Sequence, residues 1–156
     1  MIIHILYLLF LGLGAPWWRD DIYASISGMS RTTGREEIVK AGCECIAYQI
    51  NDVIDAMRKD SEIDISQMCV DGGPTRNKYL MQFQSDISQT EIKIPDAEEL
   101  SVIGAGYLAG ESAGYYEPDD IYKAITYNFF ETEMPEQERN EKVQGWNEAV
   151  EMLLKK

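Results

Sequence analysis

The stretch Val70–Asn77, Val-Asp-Gly-Gly-Pro-Thr-Arg-Asn, combines a strand end, a turn without side chains and a helix start. Gly72 and Gly73 have no Cβ, so their backbone can take a positive φ and a ligand can lie against the main chain. Pro74 supplies the fixed φ of a first helical turn, and the amide of Asn77 offers donors and acceptors that suit an adenine edge. The residues alone leave two interpretations open: a nucleotide-binding turn, or an ordinary turn between a strand and a helix.

Length and charge limit the class of protein. The 156 residues suit one domain that buries roughly 70% of the surface of its unfolded chain. The 27 acidic and 14 basic side chains give a net charge of −13, which repels phosphodiester backbones and anionic membranes. We therefore expect neither nucleic acid nor a membrane as a partner.

The cysteines and the single histidine argue against a metal site. Cys43, Cys45 and Cys69 are odd in number and lack the paired spacing of zinc ligands. His4 is the only histidine of the chain, so no second pair of ligands is available. Unpaired thiols are typical of reduced cysteines, which predicts a cytoplasmic protein.

The apolar run Ile2–Leu13 stands apart from the acidic remainder of the chain. It is too short for a membrane span, which needs about 20 residues. A signal peptide is the alternative, but no Lys or Arg precedes the run, and the acidic body with its unpaired cysteines does not resemble a secreted protein. We expect a buried strand here.

Downstream, the hydrophobic spacing predicts alternating strands and helices. Strands are predicted over residues 22–29, 66–71 and 91–94, extended chain over 127–133, and helices over 35–59, 74–88, 99–115, 119–124 and 135–154. In the first long helix, apolar residues recur every three or four positions and predict the buried face: Ile38, Val39, Cys43, Ile46, Ala47, Ile50, Val53, Ile54 and Met57. This order of elements indicates a single α/β domain with right-handed crossovers.

Two further patterns resemble functional motifs, but a structural interpretation is favoured for each. Gly104 and Gly106 are spaced as in a dinucleotide-binding turn, but the third glycine falls at Gly110, one place late, and no strand leads into them. We expect a helix that is closely packed on another element. The paired carboxylates Asp20–Asp21 and Asp119–Asp120 are adjacent in sequence and do not share a face, so solvated surface is favoured over acid–base chemistry.

Several motifs, in one order, resemble the C-terminal domain of the FGGY carbohydrate kinases. They are Gly12–Trp18 (GLGAPWW), Ile46–Gln49 (IAYQ), Val70–Gly73 (VDGG), Met81–Asp86 (MQFQSD) and Gly106–Gly110 (GYLAG). Within that family the likeness is greatest to the enzymes that phosphorylate glycerol. Residues 1–11 form an apolar segment outside the resemblance, and residues 12–156 form one domain of this type.

The resemblance implies an actin-like, ribonuclease-H-like ATPase fold, in which two domains close over a cleft and transfer the γ-phosphoryl of MgATP to a polyol hydroxyl. This chain would be part of one such domain, truncated at its N-terminal strands. By that likeness, Gly73 and Asn77 match positions that hold the adenine end of the nucleotide, and Gly72 shapes the loop. ATP or ADP is therefore the expected cofactor, with magnesium as MgATP in the complete enzyme.

The departures from the family limit what this chain can do. The phosphate-binding turn, the polyol-binding side chains and the catalytic aspartate in an Asp-Gln-Gln context are absent, and Asp71 does not match that aspartate. We therefore assign neither catalytic nor metal-binding residues, and we expect a polyol to bind only with the missing half. The alternatives are a nucleotide-binding or assembly module without catalysis, or a truncated product without activity.

The missing strands also predict how the chain associates. Residues Ile3–Leu11 could fill one vacant place in the central sheet. Otherwise, open strand edges should drive self-association, so a homo-oligomer is expected.

Overall fold

The computed structural model describes residues 5–7, 12–96, 100–115, 117 and 125–155. In chain order the elements are β1 (Ile5–Tyr7), β2 (Ser25–Ser27), α1 (Arg35–Ser61), β3 (Gln67–Cys69), a 3-10 turn (Gly73–Arg76), α2 (Lys78–Ser88), β4 (Glu91–Pro95), α3 (Leu100–Ser112), β5 (Tyr127–Phe130) and α4 (Glu136–Leu154). The predicted helix over 119–124 lies outside the described residues. No described helix is long and apolar enough to cross a membrane.

The described strands form two separate sheets. In the larger sheet, β3 and β4 are parallel, β5 is antiparallel to β4, and the order is β3-β4-β5. Helix α2 makes the crossover between the two parallel strands, so the α/β class predicted from the sequence is confirmed.

The expectation that residues Ile3–Leu11 fill a place in this sheet is wrong for the described strand β1. It pairs instead with β2, because the intervening loop folds back through the Leu13–Arg19 bridge.

Helix α1 has defined ends that follow from its terminal residues. The side chain of Glu37 accepts a 2.8 Å hydrogen bond from the backbone N–H of Gly34, immediately before the helix. Acidic residues in the first turn and Arg58 and Lys59 in the last turn complement the helix dipole. The helix ends at Ser61, and the next residue, Glu62, has a φ of 56°. The predicted helix is thus confirmed, with its end two residues further on.

Aromatic packing joins α1, α2 and α4 into one core. Trp146 of α4 stacks on Tyr48 of α1 with ring centroids 5.0 Å apart, and Phe83 of α2 meets Tyr48 edge-on at 5.5 Å. Tyr48 and Trp146 are almost fully buried, and such pairs stabilise by about 0.5–1.5 kcal/mol beyond the area that they bury. The middle of α1 is therefore held at a fixed position against α2 and α4.

Arg58 anchors the other end of α1 to the larger sheet. Its guanidinium donates to the carbonyl oxygens of Ile65 and Ser88, at 2.8 and 2.9 Å, and to the hydroxyl of Thr90 at 2.9 Å. These acceptors lie just before β3 and β4. One side chain therefore ties the end of α1 to the start of both parallel strands.

The MQFQSD motif of α2 holds the segment that leads into α4. Gln82 donates to the carbonyl oxygen of Glu131 at 2.7 Å, and the hydroxyl of Ser85 donates to that of Phe130 at 3.0 Å. The carboxylate of Asp86 accepts from the backbone N–H groups of residues 133 and 134, at 2.8 and 3.0 Å. The polar residues of this motif thus position the end of β5.

The predicted buried face of α1 is only partly correct. Ala47 and Ile54 are buried, whereas Val39, Ile46, Ile50 and Met57 are exposed. The face that packs on the rest of the described chain instead contains the polar residues Glu44 and Asn51, which are buried. Periodicity of apolar residues cannot identify this face, because the helix is also apolar on the opposite side.

Two other expectations need correction. The predicted helix over 74–88 is interrupted, since Asn77 has a φ of −84° and a ψ of 93° and α2 begins only after it. The expected close packing of α3 is wrong for the described residues. Val102 and Leu108 are 68% and 67% exposed, and a Cβ added at Gly104 would meet nothing within 4 Å.

Candidate functional site

The turn after β3 is closed by its own backbone. Gly72 has a φ of +100°, a conformation that a residue with a side chain adopts only with strain. Thr75 donates to the carbonyl oxygen of Gly72 from both its backbone N–H, at 3.0 Å, and its hydroxyl, at 2.8 Å. Pro74 is the second residue of the 3-10 turn. The predicted shaping role of Gly72 therefore has a conformational basis.

Gly73 differs from Gly72 in having no conformational need to be a glycine. It is absent from the residues with positive φ, so the expectation that both glycines use this freedom is wrong for Gly73. The residue is exposed, and a Cβ added to it would meet nothing within 4 Å. Neither local conformation nor packing among the described residues requires glycine here. A ligand that approaches the backbone would require it.

Asn77 has a structural role in addition to any binding role. Its side-chain oxygen accepts a hydrogen bond from the backbone N–H of Leu80 at 3.2 Å, which caps the start of α2. Its amide nitrogen faces the sulfur of Cys43 on α1 at 3.9 Å. Both the oxygen and the nitrogen of the side-chain amide therefore have a neighbour that orients them, and the side chain remains exposed.

An open cavity of about 600 Å³ lies between the start of α1 and the start of α2. Its lining combines cationic, apolar and amide groups and consists of Arg35, Glu36, Val39, Lys40, Cys43, Asn77 and Tyr79. Asn77 is thus in the cavity wall, whereas Gly72 and Gly73 lie outside the lining. The structure brings Asn77 together with α1, which the sequence did not indicate.

Tyr79 forms a fixed wall of this cavity. Its hydroxyl donates to the carboxylate of Glu44, and its ring stacks on Phe83 with centroids 6.0 Å apart. Burial, together with the hydrogen bond to Glu44, raises the pKa of the Tyr79 hydroxyl, which therefore stays neutral. Lys40 lies 5.8 Å from the centroid of the ring. The wall offers an aromatic surface beside a cation.

The other candidates from the sequence do not join this site. Asp21 forms an exposed ion pair with Arg19 at 2.6 Å, and that hydrogen bond lowers the pKa of Asp21. Asp119–Asp120 lie outside the described residues. Within the described part of the chain, no group of three or more His, Cys, Asp or Glu side chains is placed to hold a metal ion.

Comparisons with known proteins agree on one family. The family model described as "FGGY family of carbohydrate kinases, C-terminal domain" matches residues 4–113, so the match begins inside the apolar amino-terminal segment. The glycerol kinase of Natranaerobius thermophilus is 46% identical over 148 residues, which are 93% of this chain and 29% of that protein. The glycerol kinase of Bacillus subtilis is 41% identical over 148 residues, 93% of this chain and 30% of that protein.

Solved structures share the fold. A crystal structure of Plasmodium falciparum glycerol kinase with ADP matches 98% of this chain and 31% of its own, with a TM-score of 0.88 and 38% identity. A xylulose kinase from Lactobacillus acidophilus, at 16% identity, has a TM-score of 0.72 over 97% of this chain and 30% of its own, and shows the fold alone. The expected actin-like ATPase fold is confirmed. The chain spans about a third of the length of the relatives that it matches.

Proposed function

Because this chain belongs to the FGGY family of carbohydrate kinases and matches its C-terminal domain, we propose that it binds the adenine end of ATP or ADP at the turn Gly72–Asn77. The observation that carries the proposal is the pairing of Gly73 with Asn77. Gly73 is an exposed glycine that no conformational or packing constraint among the described residues explains. Asn77, four residues on, lines the cavity of about 600 Å³.

The chemistry of the cavity supports a nucleotide. Val39 and the ring of Tyr79 offer apolar surface for a base, while the amide of Asn77 supplies a donor for its edge. Arg35 and Lys40 place two cations in the lining, although the chain as a whole carries a charge of −13. They reduce the repulsion that an anionic ligand meets elsewhere on this protein. Glu36 opposes them in part.

The proposed role in a complete kinase is one wall of the nucleotide site. Phosphoryl transfer requires the triphosphate, a metal ion and the acceptor hydroxyl to be positioned together. We place those groups in the part of the relatives that this chain does not match, so transfer from MgATP to glycerol is proposed for the complete enzyme only. A nucleotide-binding module without catalysis is the alternative.

Calorimetric titration with ADP tests the proposal. The Asn77→Asp variant keeps an oxygen that can cap Leu80 and removes both amide donors. We expect the wild-type chain to bind ADP and Asn77→Asp to bind at least about tenfold more weakly, equivalent to about 1.4 kcal/mol. Asn128→Asp, the same change at an exposed residue of β5, is the matched control and should bind as the wild type does.

Two results would overturn the proposal. The first is the absence of saturable heat when ADP is titrated into the wild-type chain. The second is equal affinity of Asn77→Asp and Asn128→Asp for ADP. Glycerol-dependent release of ADP from ATP, measured in parallel with the chain alone, separates the two candidate functions. No release is expected from a chain that supplies one wall of the site, whereas release by the chain alone would show that it carries the catalytic groups.

A further inference from the structure

The hydrogen bond that caps α2 determines which end of the Asn77 amide faces the cavity. The backbone N–H of Leu80 can only donate, so the atom of Asn77 that lies 3.2 Å from it is the acceptor oxygen Oδ1. The nitrogen Nδ2 is turned towards α1, where it lies 3.9 Å from the sulfur of Cys43. A thiol sulfur is a weak acceptor, which agrees with this orientation. Asn77 therefore presents donors to the cavity, whereas its oxygen is engaged at the start of α2.

An amide that presents donors alone reads a purine differently from one that presents both groups. An asparagine that recognises adenine specifically does so with two hydrogen bonds, because its amide donates to N7 and accepts from the N6 amine. At Asn77 the second of these bonds competes with the helix cap. Guanine carries acceptors at both N7 and O6, so a donating amide meets an acceptor on either purine. Asn77 can therefore hold a purine without selecting adenine.

The other polar side chains of the cavity do not select adenine either. Arg35 and Lys40 carry only donors, and such side chains pair with O6 and N7 of guanine. Of the described side chains in the lining, only Glu36 has a carboxylate. A carboxylate can accept from the N6 amine of adenine and equally from the N2 amine of guanine. The hydroxyl of Tyr79 is directed to Glu44.

The openness of the site removes the usual cause of strict base selection. A binding site rejects a wrong ligand strongly when that ligand leaves a buried polar group without its hydrogen bond. Asn77 is exposed, so water can satisfy the amide when a base does not. The cavity of about 600 Å³ lies within the range of sites that hold whole small ligands, about 300–1,000 Å³. The additional amine of guanine therefore meets no evident steric limit.

From the orientation of the Asn77 amide, we infer that the proposed nucleotide site accepts purine nucleoside diphosphates without selecting adenine over guanine. Asn77 donates to an acceptor of the base and is the residue that sets this tolerance. The inference rests on the proposed function and adds the base specificity of the same site.

Calorimetric titration of the wild-type chain with ADP and with GDP is the first test. We expect the two dissociation constants to agree within about threefold. Asn77→Asp provides the second test, because one carboxylate oxygen can cap Leu80 while the other faces the base. That oxygen can accept from the N6 amine of adenine, whereas it repels N7 and O6 of guanine.

The expected result for Asn77→Asp is a change in preference as well as in affinity. Both nucleotides should bind more weakly than to the wild type, and the ratio of the dissociation constant for GDP to that for ADP should rise at least about tenfold. Asn128→Asp, the same change at an exposed residue of β5, is the matched control and should leave the ratio unchanged.

Three results would contradict the inference, and they are distinguishable from one another. A wild-type affinity for ADP at least about tenfold greater than that for GDP would overturn the inference and leave the proposed nucleotide site intact. An unchanged ratio in Asn77→Asp would also overturn it, since a residue that only caps α2 weakens binding of both nucleotides alike. Absence of saturable binding of either nucleotide would overturn the proposed function, and the inference with it.

Discussion

The indole Nε1 of Trp146 donates a 2.9 Å hydrogen bond to the carboxylate of Asp52, which joins α4 to α1 across 94 positions of the chain. Trp17, in the loop after β1, donates to the same carboxylate oxygen at 3.2 Å. One half-buried carboxylate therefore holds an N-terminal loop and the last helix against α1. This arrangement fixes the helix whose first turns line the candidate cavity.

Replacement of Trp146 by Phe should lower the free energy of unfolding by about 2–4 kcal/mol, because it removes a hydrogen bond to a charged group and leaves a void beside Tyr48. Urea denaturation monitored by circular dichroism measures the change. Trp18→Phe is the control, since Trp18 is 79% exposed, and it should change stability by no more than about 0.5 kcal/mol. Equal effects of the two substitutions would contradict this account.

Asp52 should make the stability depend on pH. Burial raises its pKa above the ordinary value, and the two indole hydrogen bonds offset this only in part. The folded state therefore takes up this proton at a higher pH than the unfolded state. The contribution of Asp52 to stability is full below the pKa of the unfolded state, about 3.9. It is lost as pH rises through the pKa of the folded state.

The pH prediction is tested with Asp52→Asn, which cannot titrate. Urea unfolding of both proteins at pH 7 and at pH 5 isolates the contribution of Asp52, because all other groups are shared. The wild type should gain stability relative to Asp52→Asn on acidification. A relative loss of wild-type stability at pH 5 would show that the carboxylate is stabilised rather than destabilised by its surroundings.

Arg58→Lys should destabilise the fold by about 1–3 kcal/mol although the charge is kept. A lysine ammonium cannot reach the carbonyl oxygens of Ile65 and Ser88 and the hydroxyl of Thr90 at the same time, so buried acceptors lose a donor. Urea unfolding measures the loss. Lys59→Arg, at the exposed neighbouring position, is the control. Arg58→Lys with wild-type stability would mean that the three hydrogen bonds do not hold the sheet to α1.

Asn77→Ala should cost about 1 kcal/mol of stability through loss of the helix cap on α2. Asn77→Ser should retain most of it, because a serine hydroxyl can accept from the backbone N–H of Leu80. Thermal and urea unfolding of the two variants measure the difference. If both variants were as stable as the wild type, the 3.2 Å hydrogen bond to Leu80 would not stabilise α2.

Local patterns in the sequence were sufficient to predict the existence of most elements. The spacing of apolar residues predicts α1 and α4, and β4 lies where a strand over 91–94 is predicted. The orientation of α1 was not predictable in the same way. Its buried face includes Glu44 and Asn51, whose burial depends on residues that are distant in sequence.

The candidate site was predicted only in part. Gly72, Gly73 and Asn77 were named from the sequence, and their role in nucleotide binding stays a prediction, as does the domain boundary at residue 11. Arg35, Lys40 and Tyr79 were missed as cavity residues. No local sequence pattern indicates which turn of α1 lies opposite Asn77, because the position of Asn77 relative to α1 is set by the packing of α1 on α2. The pairing of β1 with β2 was missed for a similar reason, since register depends on the loop that joins them.

The most direct test of the central claim is ADP binding by Gly73→Ala. The added methyl group meets nothing within 4 Å among the described residues, so it should leave thermal stability unchanged. Gly14→Ala is the matched control, because a Cβ at Gly14 also meets nothing within 4 Å. We expect Gly14→Ala to bind ADP as the wild type does, and Gly73→Ala to bind at least about tenfold more weakly. Equal affinity of the two variants for ADP would contradict the claim that a nucleotide lies against the backbone of Gly73.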